Sequence, residues 1–348
     1  MRIEDEIKLT LEDVLIRPKR STLVSRSEVV LERQFKFKHT NEIWTGVPIF
    51  SANMDTTGTF ETAITLQKHK MLTAIHKFYS IKDWEKNVEK LDPNFISVTV
   101  GQSKEDLQLG QKIFSLNSDI KYLCIDVANG YREDFINSVK NYRETFPDKI
   151  IIAGNVATRE MTEALILAGA DIVKIGIGPG SVCTTRSVAG VGYPQLSSIS
   201  ECADAAHGLG GHVMADGGCK YPGDVSKAFG AGADYVMLGG MFAGHKESGG
   251  ELVTDEEGVQ YKDFYGMSST KAQQTYYGDL AEHRAPEGKK VRLRYKGELD
   301  KTVQSILGGM RSACSYVGAK KLKDLPKSTT FIRVTQTTNE IFTGSENI

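Results

Sequence analysis

Apolar, β-branched runs recur along the chain at 47–53, 71–77, 94–101, 122–128, 149–156, 172–176, 212–218 and 235–242, eight candidate strands in all. Between most of them lies a helix-length amphipathic stretch. In the one at 158–168, Met161, Ala164, Leu165 and Ala168 fall at i, i+3, i+4 and i+7, and Gly169 follows as a stop. Strand and helix alternate, which predicts parallel pairing, and near-continuous apolar strands predict a sheet covered on both faces. An open doubly wound sheet of this kind carries G-x-G-x-x-G after its first strand, and none stands here. The pattern therefore predicts an α/β fold of the closed type, a parallel (β/α)8 TIM barrel.

A short internal repeat supports this. Ala168-Gly169-Ala170-Asp171-Ile172-Val173-Lys174-Ile175-Gly176 recurs as Ala231-Gly232-Ala233-Asp234-Tyr235-Val236-Met237-Leu238-Gly239, each copy a helix end, a tight turn and a buried strand. Successive strand starts are mostly 23 to 28 residues apart, but the step from 172 to 212 is 40, and the excess falls in a loop at 177–196. A second long segment, 243–299, is charged and Gly-rich and precedes a helical pattern from Leu299 to Tyr316. Long loops in a compact domain are usually functional. Within this one Val291, Leu293 and Tyr295 alternate with Lys290, Arg292, Arg294 and Lys296, as on a half-exposed strand. We expect a single catalytic domain over 1–348, with residues 1–46 and 326–348 as extensions packed on or beside the barrel.

Composition narrows the partners. With 43 basic against 44 acidic residues the formal net charge is −1, so there is no general pull toward nucleic acid or anionic lipid, and any phosphate must be held locally. No stretch approaches the ~18 apolar residues of a membrane span, and the N-terminus lacks an apolar signal region. A cytoplasmic protein with reduced thiols is expected. Cysteines 124, 183, 202, 219 and 314 are widely spaced without a C-x-x-C pair, which suggests neither a zinc site nor a disulfide framework.

Active groups of such barrels sit at the C-terminal ends of the strands. Sorted by that rule, the candidates are Asn53, Met54 and Asp55; His76 and Lys77; Asp126, Val127, Ala128 and Asn129; Asn155; Cys183; Asp216, Gly217 and Gly218; and Gly239 and Gly240. Cys183 is the most telling. It lies in Gly176-Ile177-Gly178-Pro179-Gly180-Ser181-Val182-Cys183-Thr184-Thr185-Arg186, a polar, glycine-rich loop where a merely structural thiol is out of place, and Arg186 nearby favours the reactive thiolate. The glycine pairs after the seventh and eighth strands are either simple turns or backbone cradles for a ligand phosphate. Asp216 suits a ribose diol or an Asx-turn. Lys77 is a ligand-facing cation or a snorkelling surface lysine, and His76 is core-facing. Glu287 would ordinarily be surface charge.

These motifs resemble one family, the purine nucleotide enzymes comprising IMP dehydrogenase and GMP reductase. The resemblance runs nearly end to end, through Asp13-Val14-Leu15-Ile16-Arg17-Pro18, Ala52-Asn53-Met54-Asp55, the Cys183 loop, Met214-Ala215-Asp216-Gly217-Gly218, Met237-Leu238-Gly239-Gly240 and Tyr265-Gly266-Met267-Ser268. It is closer to the reductase branch. There is no room between 77 and 94 for a paired regulatory module, and only 18 residues separate Ser268 from Glu287, too few for a long water-activating flap. The resemblance implies NADPH-dependent reductive deamination of GMP to IMP through a thioimidate on Cys183, with Thr185 and Glu287 handling the proton of the departing amine and Lys77 facing the nicotinamide. It implies that Asp126, Val127, Ala128, Ile177, Gly178, Met267, His283, Arg284, Ser312, Ala313, Cys314 and Ser315 line the cofactor. Ser25 and Arg26 would reach the cofactor of a neighbouring subunit of a homotetramer. GMP would be held by Asp216, Gly217, Gly218, Gly239, Gly240, Gly266, Met267, Ser268, Arg284, Ala285, Pro286, Glu287 and Gly288. A potassium ion would sit on the carbonyls of Gly178, Gly180 and Cys183 beside Arg186. The rivals are IMP dehydrogenase activity, a non-catalytic purine nucleotide sensor, and a flavin-dependent barrel oxidoreductase.

Overall fold

The computed structural model describes residues 1, 3–276, 278 and 285–335. Before the barrel the chain forms β1 (Val14–Ile16) and an antiparallel hairpin of β2 (Arg33–Lys36) and β3 (Ile43–Gly46). Eight strands then close an all-parallel barrel: β4 (Ile49–Ser51), β5 (Leu72–Ile75), β6 (Ile96–Val100), β7 (Tyr122–Asp126), β8 (Ile150–Val156), β9 (Ile172–Ile175), β10 (His212–Asp216) and β11 (Tyr235–Leu238). Each predicted apolar run contains one of them. The helices α1 (Phe60–Leu66), α2 (Ile81–Asn87), α3 (Lys104–Leu116), α4 (Glu133–Thr145) and α5 (Arg159–Leu167) follow the first five strands. After β9 come the short α6 (Thr185–Val188) and α7 (Gln195–Gly208), and after β10 comes α8 (Pro222–Gly230).

The two-residue period of a strand decides what fills the barrel. Phe50, Leu72, Tyr122, Ile150, Ile152, Ile172, Met214, Tyr235 and Met237 point inward and pack on one another. The alternate residues, among them Val98, Leu123, Ile125, Ile151 and Val173, face the helices. The N-terminal end of the barrel is sealed by the β2–β3 hairpin. Phe35 stacks on Tyr235 with ring centroids 4.5 Å apart, and the Trp44 indole N–H donates to the Asn94 carbonyl at 2.7 Å. The N-terminal extension is thus a plug for the core.

The repeat has a structural reason. Asp171 and Asp234 stand just before β9 and β11, and each accepts the backbone N–H of a neighbouring strand, Ile151 at 3.0 Å and Val213 at 3.1 Å. Each carboxylate is held by an arginine as well, Asp171 by Arg143 at 2.5 Å and Asp234 by Arg33 at 3.1 Å. Buried carboxylates need such partners.

The long segment after β11 folds as a three-stranded antiparallel sheet, β12 (Leu252–Thr254), β13 (Gln260–Tyr265) and β14 (Lys290–Arg294), with α9 (Thr270–Tyr276) in the β13–β14 connection. The alternation at 290–295 is realised in β14, where Val291 and Leu293 are half-buried and their neighbours exposed. Helix α10 (Leu299–Val317) then packs against α8, ending at Gly318 in the left-handed conformation (φ 74°) that glycine takes without strain. After α11 (Leu325–Ser328) the final strand β15 (Phe331–Arg333) pairs antiparallel with β1, so the two extensions zip together.

Candidate active site

Residues far apart in sequence meet at the C-terminal mouth of the barrel through a backbone ladder. Thr184 N–H donates to the Glu287 carbonyl (3.0 Å), Lys289 N–H to the Val182 carbonyl (2.9 Å), and Glu287 N–H to the Ser268 carbonyl (3.2 Å). The Cys183 loop, the 266–269 turn and the 286–289 segment thereby lie side by side. Gly266 and Gly288 are required for this approach: a methyl group on Gly266 would stand 3.1 Å from both Gly288 Cα and the Val182 carbonyl.

The ladder fixes three side chains. The Cys183 thiol lies 3.3 Å from Thr185 Oγ1, and the Thr185 hydroxyl donates to Glu287 Oε2 at 2.7 Å. All three are partly accessible rather than buried in the core. A nucleophile, a hydroxyl relay and a carboxylate in one hydrogen-bonded line can form a covalent bond and move a proton to a leaving group. Arg186 does not play the part expected of it. Its guanidinium donates to the Tyr193 carbonyl at 2.8 Å, so Thr185 is the polar neighbour of the thiol.

Glycines bring other backbone close to this line. Gly176, Gly178, Gly217 and Gly218 all have φ between +85° and +153°. A methyl group on Gly217 would meet the Gly180 N–H at 3.1 Å, and one on Gly240 would meet Ser181 Oγ at 3.0 Å. Asp216, Gly217 and Gly240 thus border the Cys183 loop, as do Gly266, Met267, Ser268 and Gly288 through the ladder, while Gly218 lies against Gln195 and Leu11 and Gly239 against Met54, Ala52 and Phe264. Ala285 and Pro286 are exposed and lead into Glu287. His283 and Arg284 lie outside the described residues.

Below the mouth, inside the barrel, is a charged cluster centred on Lys174. Its Nζ contacts Asp126 Oδ1 at 2.8 Å and Asp216 Oδ2 at 2.9 Å, and the Asn155 amide adds a second donor to Asp216 Oδ2 at 2.9 Å. Burial acts against the charge on Asp126, but Lys174, Lys77 and an Asn53 hydrogen bond outweigh it and hold its carboxyl below the usual range. Lys77 is half-buried beside this cluster, its Nζ 5.9 Å from the Phe78 ring centre. His76 is buried as expected, stacked on Tyr79.

Ser25 and Arg26 are exposed, in a short helical turn packed against α10. Ser312, Ala313 and Ser315 lie half-buried on α10, but Cys314 is fully buried in the core beneath it, so its side chain is taken up by packing. That is the expected consequence of helical geometry: a run of four consecutive residues cannot all lie on one face.

Residues 8–341 match the family described as IMP dehydrogenase / GMP reductase domain. The chain belongs to the IMP dehydrogenase/GMP reductase family. It is 58% identical over 345 residues to a protein named GMP reductase from Buchnera aphidicola subsp. Acyrthosiphon pisum (strain Tuc7), covering 98% of this chain and 99% of that one. It is 57% identical over 345 residues, with the same coverage, to proteins of that name from Escherichia coli O81 (strain ED1a) and Enterobacter sp. (strain 638). Membership of this family implies a nicotinamide cofactor.

Sequence patterns missed Lys174 and the Asp55 clasp. Lys174 stands in an otherwise apolar strand at the parity of Ile172, and a lysine pointing into a core is a signal, since it must be paired there. Asp55 accepts from the Tyr265 hydroxyl at 2.5 Å and the Tyr276 hydroxyl at 2.7 Å. Nothing in the spacing of those residues announces the contact.

Proposed function

We propose that the protein is a GMP reductase that converts GMP and NADPH to IMP, ammonia and NADP+. The observation that carries this is the Cys183–Thr185–Glu287 line in a chain 57–58% identical to proteins named GMP reductase. Mere nucleotide binding would need none of the three.

The Cys183 thiolate attacks C2 of the guanine, forming a C–S bond. The bond from C2 to the exocyclic nitrogen breaks, and Thr185, backed by Glu287, passes a proton to the departing amine, which leaves as ammonia. This gives a thioimidate on Cys183. Bound NADPH supplies the hydride that C2 accepts, after which the C–S bond breaks and the thiolate is restored. Splitting the exchange at a covalent intermediate replaces one hard step with two easier ones.

Asp216 accepts from the ribose diol of GMP, and the amides of Gly217, Gly218, Gly239 and Gly240 hold its phosphate, with Gly266, Met267, Ser268 and Gly288 on the purine side. Asp126, Val127 and Ala128 with Lys77, Ile177 and Gly178 border the nicotinamide. The fit is supported by Asn155 Oδ1, buried at this point without a protein partner and free to accept from a ligand. Ser25 and Arg26, exposed on the outer side, serve the cofactor of a neighbour in a homotetramer. A potassium ion suits the loop at Gly178 and Gly180, whose backbone turns through φ 85° at Gly178. There it would be held by backbone carbonyls of the loop that carries Cys183. Reduced thiols and a cytoplasmic setting accord with this chemistry. Among the described residues no helix is long and apolar enough to cross a membrane.

Absorbance in the reduced-nicotinamide band tests the proposal. It falls when GMP is added to enzyme and NADPH, faster than with NADH. A rise with IMP and NAD+ would instead make the protein a dehydrogenase. Silence in both assays with tight GMP binding would make it a sensor.

A further inference from the structure

We propose that Lys174 is a positioning residue that lets the nucleotide-side carboxylate Asp216 and the cofactor-side carboxylate Asp126 stand ionised next to each other. This rests on placing a purine nucleotide and a nicotinamide at the barrel mouth, as above.

Lys174 is 2% exposed, deep inside the barrel, and its Nζ lies 2.8 Å from Asp126 Oδ1 and 2.9 Å from Asp216 Oδ2. The two carboxylates therefore face each other across a single nitrogen. They come from different strands, β7 and β10, neither adjacent to the other in the barrel. One more detail marks this position: in the second copy of the repeat it is Met237, an apolar residue of the barrel core. Lysine at 174 replaces what the architecture otherwise fills with methionine.

The other groups facing Lys174 are few. Cys124 of β7 is fully buried with its thiol pushed up to about 12 by burial, and Lys77 acts on the cluster through Asp126. Asn53 and Asn155 are neutral donors to Asp126 and Asp216. Burial opposes the charge on Lys174, yet the two carboxylates overcome it and hold the ammonium protonated. Remove that charge, and two carboxylates, 23% and 21% exposed, are left without the cation between them. Their repulsion then raises the pKa of one of them. A protonated carboxyl is a poorer acceptor for ribose hydroxyls or a nicotinamide amide.

The test compares wild type, Lys174→Met and the double variant Lys174→Met/Asp126→Asn by thermal unfolding between pH 5 and 8 and by calorimetric titration with GMP. A carboxyl whose folded pKa is raised adds stability at low pH that is lost as pH rises through that pKa. Relative to wild type, Lys174→Met is thus expected to lose melting temperature as pH rises across this range and to bind GMP about tenfold or more weakly at neutral pH. The double variant, with one carboxylate, is expected to lose the added pH slope and to recover GMP binding to within about threefold of wild type. Lys174→Met with wild-type GMP affinity and no added slope would overturn the proposal. So would a double variant as defective as the single one, since Lys174 would then matter only for packing. If Lys174→Met does not fold, the double variant decides alone: folded and binding GMP supports the role, unfolded overturns it. The pH slope needs no ligand, so a wild type that ignores GMP would count against the nucleotide assignment and leave the carboxylate pairing to be judged by the slope.

Discussion

The Thr185 hydroxyl donates to Glu287 Oε2 at 2.7 Å although 102 residues separate them, and the same hydroxyl lies 3.3 Å from the Cys183 thiol. Thr185 is therefore the only side chain of the three that touches both others. Glu287→Gln keeps the shape of the carboxylate but cannot cycle a proton. We predict that it lowers kcat by roughly 10²-fold or more, the range of a lost general acid, with little change in the KM for GMP. Thr185→Val should have an effect of similar size, and the double variant little more than either alone. Steady-state kinetics of the three proteins check this.

The clasp at Asp55 holds the α9 segment over the mouth. Tyr276 donates to Asp55 and stacks on Phe78 with ring centroids 3.6 Å apart, directly beside Lys77. Tyr276→Phe keeps the stack and removes a hydrogen bond to a carboxylate, a loss of about 1.5–3 kcal/mol locally. The expected result is faster proteolysis within 270–276 and a raised KM for GMP, with melting temperature nearly unchanged. Unaltered proteolysis would mean that the stack alone seats the segment.

His76 gives the protein a sensitivity to acid. Its Nδ1 accepts the Phe78 N–H at 3.2 Å, and burial lowers its pKa to about 4, with Asp83 acting weakly in the other direction. Because the folded state disfavours the charged ring, the neutral form contributes stability that is complete above the unfolded value of about 6.5 and is lost as pH falls toward about 4. The contribution is on the order of 3 kcal/mol. His76→Phe should flatten the melting-temperature profile between pH 6.5 and 4, and an unchanged profile would refute the assignment.

At the opposite end of the barrel the sign is reversed. Asp234 is buried and contacts Arg33 at 3.1 Å, His207 at 2.7 Å and His212 at 3.5 Å. Burial lowers the His212 pKa less than its pairing with the Asp234 charge raises it, so its contribution is present at low pH and is lost as pH rises through the raised value. Burial also opposes the charge on Asp234, but the His207 hydrogen bond and the charges of the two histidines prevail and hold its carboxyl well below the usual range. Its contribution is therefore lost only in strong acid. Asp234→Ala leaves the cationic side chains without their shared partner and should cost about 3–5 kcal/mol in denaturant unfolding. Since the Cys183–Thr185–Glu287 line lies at the other mouth, kcat per folded molecule should not change.

Much of this was legible in the sequence for identifiable reasons. A strand covered on both faces writes itself as an unbroken apolar run, so all eight barrel strands could be read, and the surplus length after β9 marked the Cys183 loop. Contacts that depend on long-range closure could not be read. Glu287 reaches Thr185 only because Gly266 and Gly288 allow two turns to touch, and the Asp55 clasp joins segments more than 200 residues apart. Cys314 came with the run Ser312 to Ser315 that the resemblance implied, and its burial depends on how α10 packs, which the run itself does not show. Lys174 belongs to no motif, and its one signal is that a lysine inside an apolar strand must be paired there.

The claim on which everything turns is that Cys183 bonds to the nucleotide. Enzyme mixed with radiolabelled GMP in the absence of NADPH and quenched in acid should retain label on the peptide containing Cys183. Adding NADPH before the quench should chase that label into IMP, and Cys183→Ala should retain none. A wild type that oxidises NADPH in the presence of GMP yet never holds label on Cys183 would contradict the covalent route.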